Sequence, residues 1–176
     1  MNNRKAGGNE VFWITGLSGA GKTTIGSLFY NRLKEKHPNT VFFDGDTLRQ
    51  VFGDDLGYSK EDRKKCAMRY SRLCAMLEEQ GINVVCCTIS MFDSVRQWNR
   101  EHIKNYKEIY VKVSMDTLKR RDQKGLYSNS AKGIEKDVAG LEIEVEEPKS
   151  PDLILYNDGQ NTPQEQVKEM INFFGI

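Results

Sequence analysis

The sequence has little of what a stapled, metal-bound or membrane-spanning protein needs. Its 176 residues include four cysteines, Cys66, Cys74, Cys86 and Cys87, and two histidines, His37 and His102. No two cysteines form a Cys-x-x-Cys pair, so neither a structural zinc site nor a disulfide framework is expected. The thiols read as buried and reduced. No apolar run approaches the ~20 residues that cross a membrane, so no membrane partner is expected. The first ten residues are polar and lack an apolar signal-peptide core, which points to the cytoplasm. Charge of one sign is also missing: 26 Lys and Arg against 25 Asp and Glu leave +1. That balance excludes the global field behind non-specific binding of long nucleic acid, yet it permits a local anion site.

What is present is one domain's worth of alternating elements, spanning 1–176. Val11-Phe12-Trp13-Ile14-Thr15 reads as a buried strand. Helical spacing of Ile25, Leu28, Phe29 and Leu33 follows, stopped by His37-Pro38-Asn39. A second strand covers Thr40 to Phe43 and runs into Asp44-Gly45-Asp46. Ser59 starts a long helix that ends at Gly81. Strands are expected at Asn83–Cys87, Glu108–Val113 and Leu153–Tyr156, with helices over Ser94–Tyr106 and Asp116–Arg121. Thr162-Pro163-Gln164-Glu165 carries the signature of a capped helix start. Strands alternating with helices give an α/β fold, a mostly parallel five-stranded sheet covered on both faces. Residues 123–150 show no sustained period, and so long a stretch in a compact domain reads as a mobile lid.

Gly16-Leu17-Ser18-Gly19-Ala20-Gly21-Lys22-Thr23 fits G-x-x-x-x-G-K-[ST] and lies between a strand and a helix. Its glycines let backbone N–H groups converge on phosphates, and the helix start adds the positive end of its dipole. Lys22 then reaches the β- and γ-phosphates of ATP, and Thr23 offers a hydroxyl to Mg²⁺. Switch GTPases, motors and small-molecule kinases share this loop. The absence of Asn-Lys-x-Asp argues against a GTPase. A small kinase needs a carboxylate facing the acceptor, and Asp44 or Asp46 at the end of the second strand meets that need. Asp46 is preferred as general base and metal partner, while Asp44 suits a helix cap. Arg49 and Arg63 are candidate anion ligands, Arg63 standing where a cation opposes the helix dipole. A nucleotide-dependent binding protein and a kinase of simple alcohols remain open alternatives on these residues alone.

Taken together, Gly16 to Thr24, Phe43-Asp44-Gly45-Asp46, Asp55 to Arg63, Ile89-Ser90 and Arg121 to Tyr127 resemble the adenylyl-sulfate kinase family. The resemblance runs in order from Val11 to Asn157. It implies a P-loop three-layer sandwich using ATP and Mg²⁺ to phosphorylate the ribose 3′-hydroxyl of a small nucleotide. The implied catalytic set is Lys22, Asp46 and Ser90, with Ser90 treated as a pocket residue because in-line transfer needs no phosphoserine. ATP falls to Gly16, Ser18, Gly19, Ala20, Gly21, Lys22, Thr23 and Thr24, with Arg121 near its base, and metal to Thr23 and Asp46. The acceptor falls to Asp44, Asp46, Arg49, Tyr58, Arg63, Ile89, Ser90 and Phe92, with Lys124 and Lys136 in the cover. A homodimer is a further expectation.

Departures gather on the acceptor side. The family usually has asparagine where Cys66 stands. Its cover usually reads Lys-Gly-Phe-Thr-Gly, where this chain has Lys136-Asp137-Val138-Ala139-Gly140. After Ile89-Ser90 it prefers proline, an aromatic and arginine, where Met91, Phe92 and Asp93 stand. Losing an aromatic face at Val138 removes about 1–3 kcal/mol of base stacking. The resemblance therefore extends to a relative with another acceptor, cytidine diphosphoramidate kinase, with Cys66 and Val138 as the altered pocket residues.

Overall fold

Alternation along β1 (Val11–Thr15) sets the architecture. Successive side chains of a strand point to opposite faces. Phe12 and Ile14 enter one apolar cluster with Ile25, Phe29, Val85 and Met170, while Val11 and Trp13 enter the other with Cys66, Tyr70, Cys74 and Val95. A strand apolar on both faces has to be covered on both faces, and the computed structural model shows this. It describes residues 9–53, 55–122, 125–134 and 136–176.

The elements after β1 are α1 (Lys22–Lys36), β2 (Thr40–Asp44), α2 (Gly45–Val51), α3 (Lys60–Glu79), β3 (Asn83–Thr88) and α4 (Asp93–His102). Then come β4 (Tyr106–Lys112), α5 (Met115–Arg121), α6 (Leu126–Ala131), β5 (Leu153–Tyr156) and α7 (Pro163–Phe174). All strand pairs are parallel, in the order β2-β3-β1-β4-β5. Helices α1 and α7 pack together, as do α3 and α4, giving three layers. The chain winds from β1 out to β2 and back through β3, then crosses β1 to reach β4. Ligands of such sheets bind beyond the carboxyl ends of the strands where the winding reverses. Thr15, Asp44 and Thr88 end their strands at that edge.

Local chemistry explains most boundaries. The Ser59 hydroxyl accepts from Asp62 N at the start of α3, and Thr162 with Glu165 forms a complete capping box on α7. Two expectations shift. The helix expected over Ser94–Tyr106 ends at His102, because Ile103 is extended and Tyr106 already pairs with Val11 as the first residue of β4. The stretch 123–150 contains a helix, α6. Six residues are too few to show a period, and its start is fixed by the Asp122 carboxylate, which accepts from Tyr127 N and Ser128 N.

Helix α1 lies close on β3 because Gly26 has no side chain. A Cβ there would sit 2.2 Å from Cys87 Sγ. Alanine gains about 1 kcal/mol of helix propensity, but overpacking a core costs about 1–3 kcal/mol. Gly26→Ala is therefore expected to lower stability by up to about 2 kcal/mol net, read as a lower urea midpoint at unchanged slope.

Candidate active site

The P-loop, residues 16–23, leaves β1 and enters α1 through Gly21, whose φ of +97° is left-handed. A side chain at Gly21 would also collide with Asn157, whose Nδ2 would be 2.6 Å from the added Cβ. That amide donates to Ala20 O at 2.8 Å and so ties the loop to the end of β5. The Tyr127 hydroxyl of α6 donates to Ser18 O at 2.8 Å on the other flank. Lys22 is 9% exposed and its ammonium donates to Leu17 O at 2.8 Å. Burial pulls its pKa down to about 8, against the opposing pull of Cys87, Asp44 and Asp46. Thr23 Oγ1 donates to Asp44 Oδ2 at 2.6 Å. A hydroxyl and a carboxylate are the hard oxygen donors that suit Mg²⁺, which commonly completes its shell with phosphate oxygens and water. Ser18, Lys22, Thr23, Thr24, Asp44 and Asp46 line a cleft of about 550 Å³.

Asp44 has a second duty. It is the N-cap of α2, with Oδ1 accepting from Asp46 N at 3.0 Å. Asp46 is exposed and lines both the P-loop cleft and a second cavity. Gly45, Thr88 and Ile89 are also common to the two, so the cavities meet at this corner.

The second cavity is enclosed by Arg49 of α2, Tyr58, Arg63 and Cys66 of α3, and the turn Ser90 to Phe92. Its free volume of about 80 Å³ is smaller than a cavity of about 150 Å³ that takes benzene. Ala139, Ile143 and Val145 form its wall on the side away from the P-loop cleft. Tyr58 is 55% exposed, with the Arg49 guanidinium 4.5 Å and the Arg63 guanidinium 5.2 Å from its ring centre. Arg49 donates to Leu56 O and Gly57 O; Arg63 donates to Tyr58 O and to Asp137 O, across 74 residues. Burial, then the neighbouring Arg49, lowers the Arg63 pKa. Two crowded guanidiniums in one cavity favour an anionic occupant. The Ser90 hydroxyl is buried, 2.6 Å from Thr88 Oγ1. It lines this cavity and is absent from the cleft lining, which suits a pocket residue better than a phosphate acceptor.

A profile of the adenylylsulphate kinase family matches residues 8–156. The chain belongs to this family. It is therefore an ATP-dependent phosphotransferase acting on a hydroxyl. Cytidine diphosphoramidate kinase of Campylobacter jejuni is 39% identical over 161 residues, covering 92% of this chain and 94% of the relative. Adenylyl-sulfate kinase of Halothermothrix orenii is 37% identical over 173 residues, covering 98% and 91%. Among solved structures, the Mycobacterium tuberculosis APS kinase in complex with AMPPNP and APS superposes with a TM-score of 0.87 at 30% identity, covering 96% of this chain and 98% of that one.

Seen as a member of this family, the chain brings most of the expected residues together, with three differences. Val138, expected beside the acceptor base, is buried in the apolar cluster that holds Tyr127 and against which Leu17 packs. Ala139, Ile143 and Val145 line the second cavity instead. Val138 begins a tight turn in which its carbonyl accepts from Leu141, Glu142 and Ile143. The Thr23 hydroxyl donates to Asp44 at the end of β2, which adds a carboxylate to the expected pair of Thr23 and Asp46 in the same cleft. Lys136 is exposed and lines neither cavity, and Lys124 lies outside the described residues.

A third hollow of about 440 Å³ lies on the outer side of the P-loop, with Arg121, Asn157, Gly159, Asn161 and Pro163 among its lining residues. Arg121 Nη2 donates to Asn157 O at 2.7 Å. The expectation that Arg121 sits near the nucleotide thus gains neighbours that sequence reasoning missed. Their signal was positional: Asn157 follows the last strand directly, at the edge where ligands bind. Among the described residues no helix is long and apolar enough to cross a membrane.

Proposed function

We propose that this kinase transfers the γ-phosphate of ATP to the 3′-hydroxyl of a nucleoside 5′-phosphate derivative, adenylyl sulfate in the main reading. The observation that carries it is the shared corner at Gly45-Asp46 and Thr88-Ile89, where the phosphate cleft opens onto the arginine-lined cavity. A donor phosphate in one cavity and an acceptor hydroxyl in the other would meet beside Asp46. Most of the catalysis is then positioning and charge stabilisation. P-loop amides and Lys22 hold the triphosphate. Thr23 and Asp46, with Asp44 beside them, would hold Mg²⁺; when bound, the ion neutralises charge on the transferring group. Asp46 aligns the acceptor hydroxyl and accepts its proton. Arg49 and Arg63 anchor the acceptor's distant anionic end, so remote binding energy orients the reacting oxygen. The segment 136–145 covers the site and keeps water from the phosphate.

A second reading takes cytidine diphosphoramidate as the acceptor. Cys66 in the cavity wall favours it, with only small aliphatic side chains on the lid side. The deciding experiment incubates the purified protein with ATP, Mg²⁺ and each acceptor, and identifies the 3′-phosphorylated product by mass. Preference for adenylyl sulfate supports the main reading, and preference for the cytidine compound selects the second. Inertness toward both would overturn the proposal, and turnover of a simple alcohol would replace it. The homodimer belongs to the same proposal and is read by light scattering.

A further inference from the structure

The mechanism above leaves unused a buried ion cluster behind the second cavity. Arg96 of α4 is 4% exposed and Glu108 of β4 is 1% exposed. Arg96 Nη2 donates to Glu146 O at 2.7 Å and also to the Asp93 carboxylate, while its Nε lies 3.6 Å from Glu108 Oε1. Glu146 is where two cavity walls join. Its N–H donates to Met91 O at 3.1 Å, and its carboxylate accepts from Asp93 N. Met91 and Phe92 line one wall of the cavity, and Ile143 and Val145 line the other. Buried Tyr110 bonds the Glu147 side chain, while three further ties on this return segment, Lys149 to Asp93, Lys112 to Glu147 and Arg100 to Ser150 O, are made by side chains at least two-fifths exposed. Exposed ties of this kind contribute little. From a buried position the planar guanidinium of Arg96 reaches the return segment, the Asp93 carboxylate at the start of α4 and Glu108 of the sheet together; Arg100, two-fifths exposed, joins Glu108 to Ser150 O beside it.

We propose that Arg96 is a positioning residue for the acceptor: through Glu146 it fixes the wall carrying Val145 against the turn carrying Met91 and Phe92. This inference rests on the reading of the second cavity as the acceptor site. Arg96 touches neither the P-loop cleft nor the third hollow, so ATP binding does not depend on it.

The test compares wild type, Arg96→Lys and Glu146→Ala in steady-state kinetics, varying ATP and the preferred acceptor separately. Lysine keeps a positive charge against Glu108 but cannot span the three partners. Glu146→Ala removes the carboxylate's tie to Asp93 N and keeps the backbone carbonyl that Arg96 reaches, so it tests the junction of the two walls; Arg96→Gln tests the arginine itself should the lysine variant fail to fold. Each variant is expected to raise acceptor KM about tenfold, with ATP KM within about twofold and kcat within about threefold, since small displacements of a positioning wall are costly. A merely structural role would lower the active fraction and leave both KM values unchanged, which overturns the proposal. A parallel rise in both KM values does so too. If wild type phosphorylates no nucleotide acceptor, the functional reading fails and takes this inference with it. If wild type is active and acceptor KM stays fixed in the folded variants, the inference fails alone.

Discussion

Asp46→Asn is expected to lower kcat by about 10³-fold while leaving the affinity for ATP near wild type. The side chain stands at the corner shared by the two cavities, so it faces the acceptor as well as the phosphates. A positioned general base contributes about 10²–10⁴-fold. Asparagine keeps the shape but loses the ability to take the acceptor's proton. Its neighbour Asp44 remains to cap α2 and to meet Thr23, so the phosphate cleft is preserved. Stopped single-turnover assays with acceptor, set beside fluorescent nucleotide binding, separate the two effects. Near wild-type turnover in the variant would remove Asp46 from the chemistry.

Lys22→Met is expected to lower kcat by about 10²–10³-fold and to make the fold more stable near neutral pH. Removing a preorganised charge aimed at the transferring group costs about 10²–10³-fold in kcat. The stability gain has a different origin. Lys22 is buried, and its pKa is pulled from 10.5 to about 8 in the fold. Between those values the unfolded chain holds more proton at this lysine than the folded chain does. Its contribution to stability therefore rises with pH through that window and is least favourable below pH 8. Methionine fills similar space without the charge, so the variant gains about 1–3 kcal/mol below pH 8, and the gain fades as pH approaches 10.5. Urea denaturation of both proteins from pH 7 to 10 measures the difference. A gain independent of pH would show that the lysine is not buried as a charge. A triphosphate restores the charged form, so nucleotide binding near pH 8 is also expected to take up a proton, read by calorimetry in two buffers of different ionisation heat.

Both predictions begin from residues that were legible in the chain. The P-loop could be read because its glycines, Lys22 and Thr23 are contiguous and the strand before it and helix after it declare themselves by period. The Thr162–Glu165 capping box is equally local. Residues 126–131 were not readable as a helix, because one turn and a half carries no period and the carboxylate that accepts from its first N–H groups, Asp122, lies outside it. Val138 was misplaced for a related reason. Its position in a motif says nothing about which way a tight turn aims its side chain.

The sequence by itself determined the class of chemistry: a backbone cradle for phosphate, a lysine, a hydroxyl and nearby carboxylates on an α/β frame. Those features follow from short-range rules of steric freedom, periodicity and capping. Only the tertiary structure decided which side chains meet. Thr23 meets Asp44 across 21 residues, Asn157 holds the P-loop across 137, and Arg96 joins the return segment across 50. Such pairings depend on strand order and on where each chain segment leaves the sheet. The near-neutral charge that argued against long polyanions therefore coexists with a strongly polar corner, because folding gathers a few charges that the linear chain keeps apart.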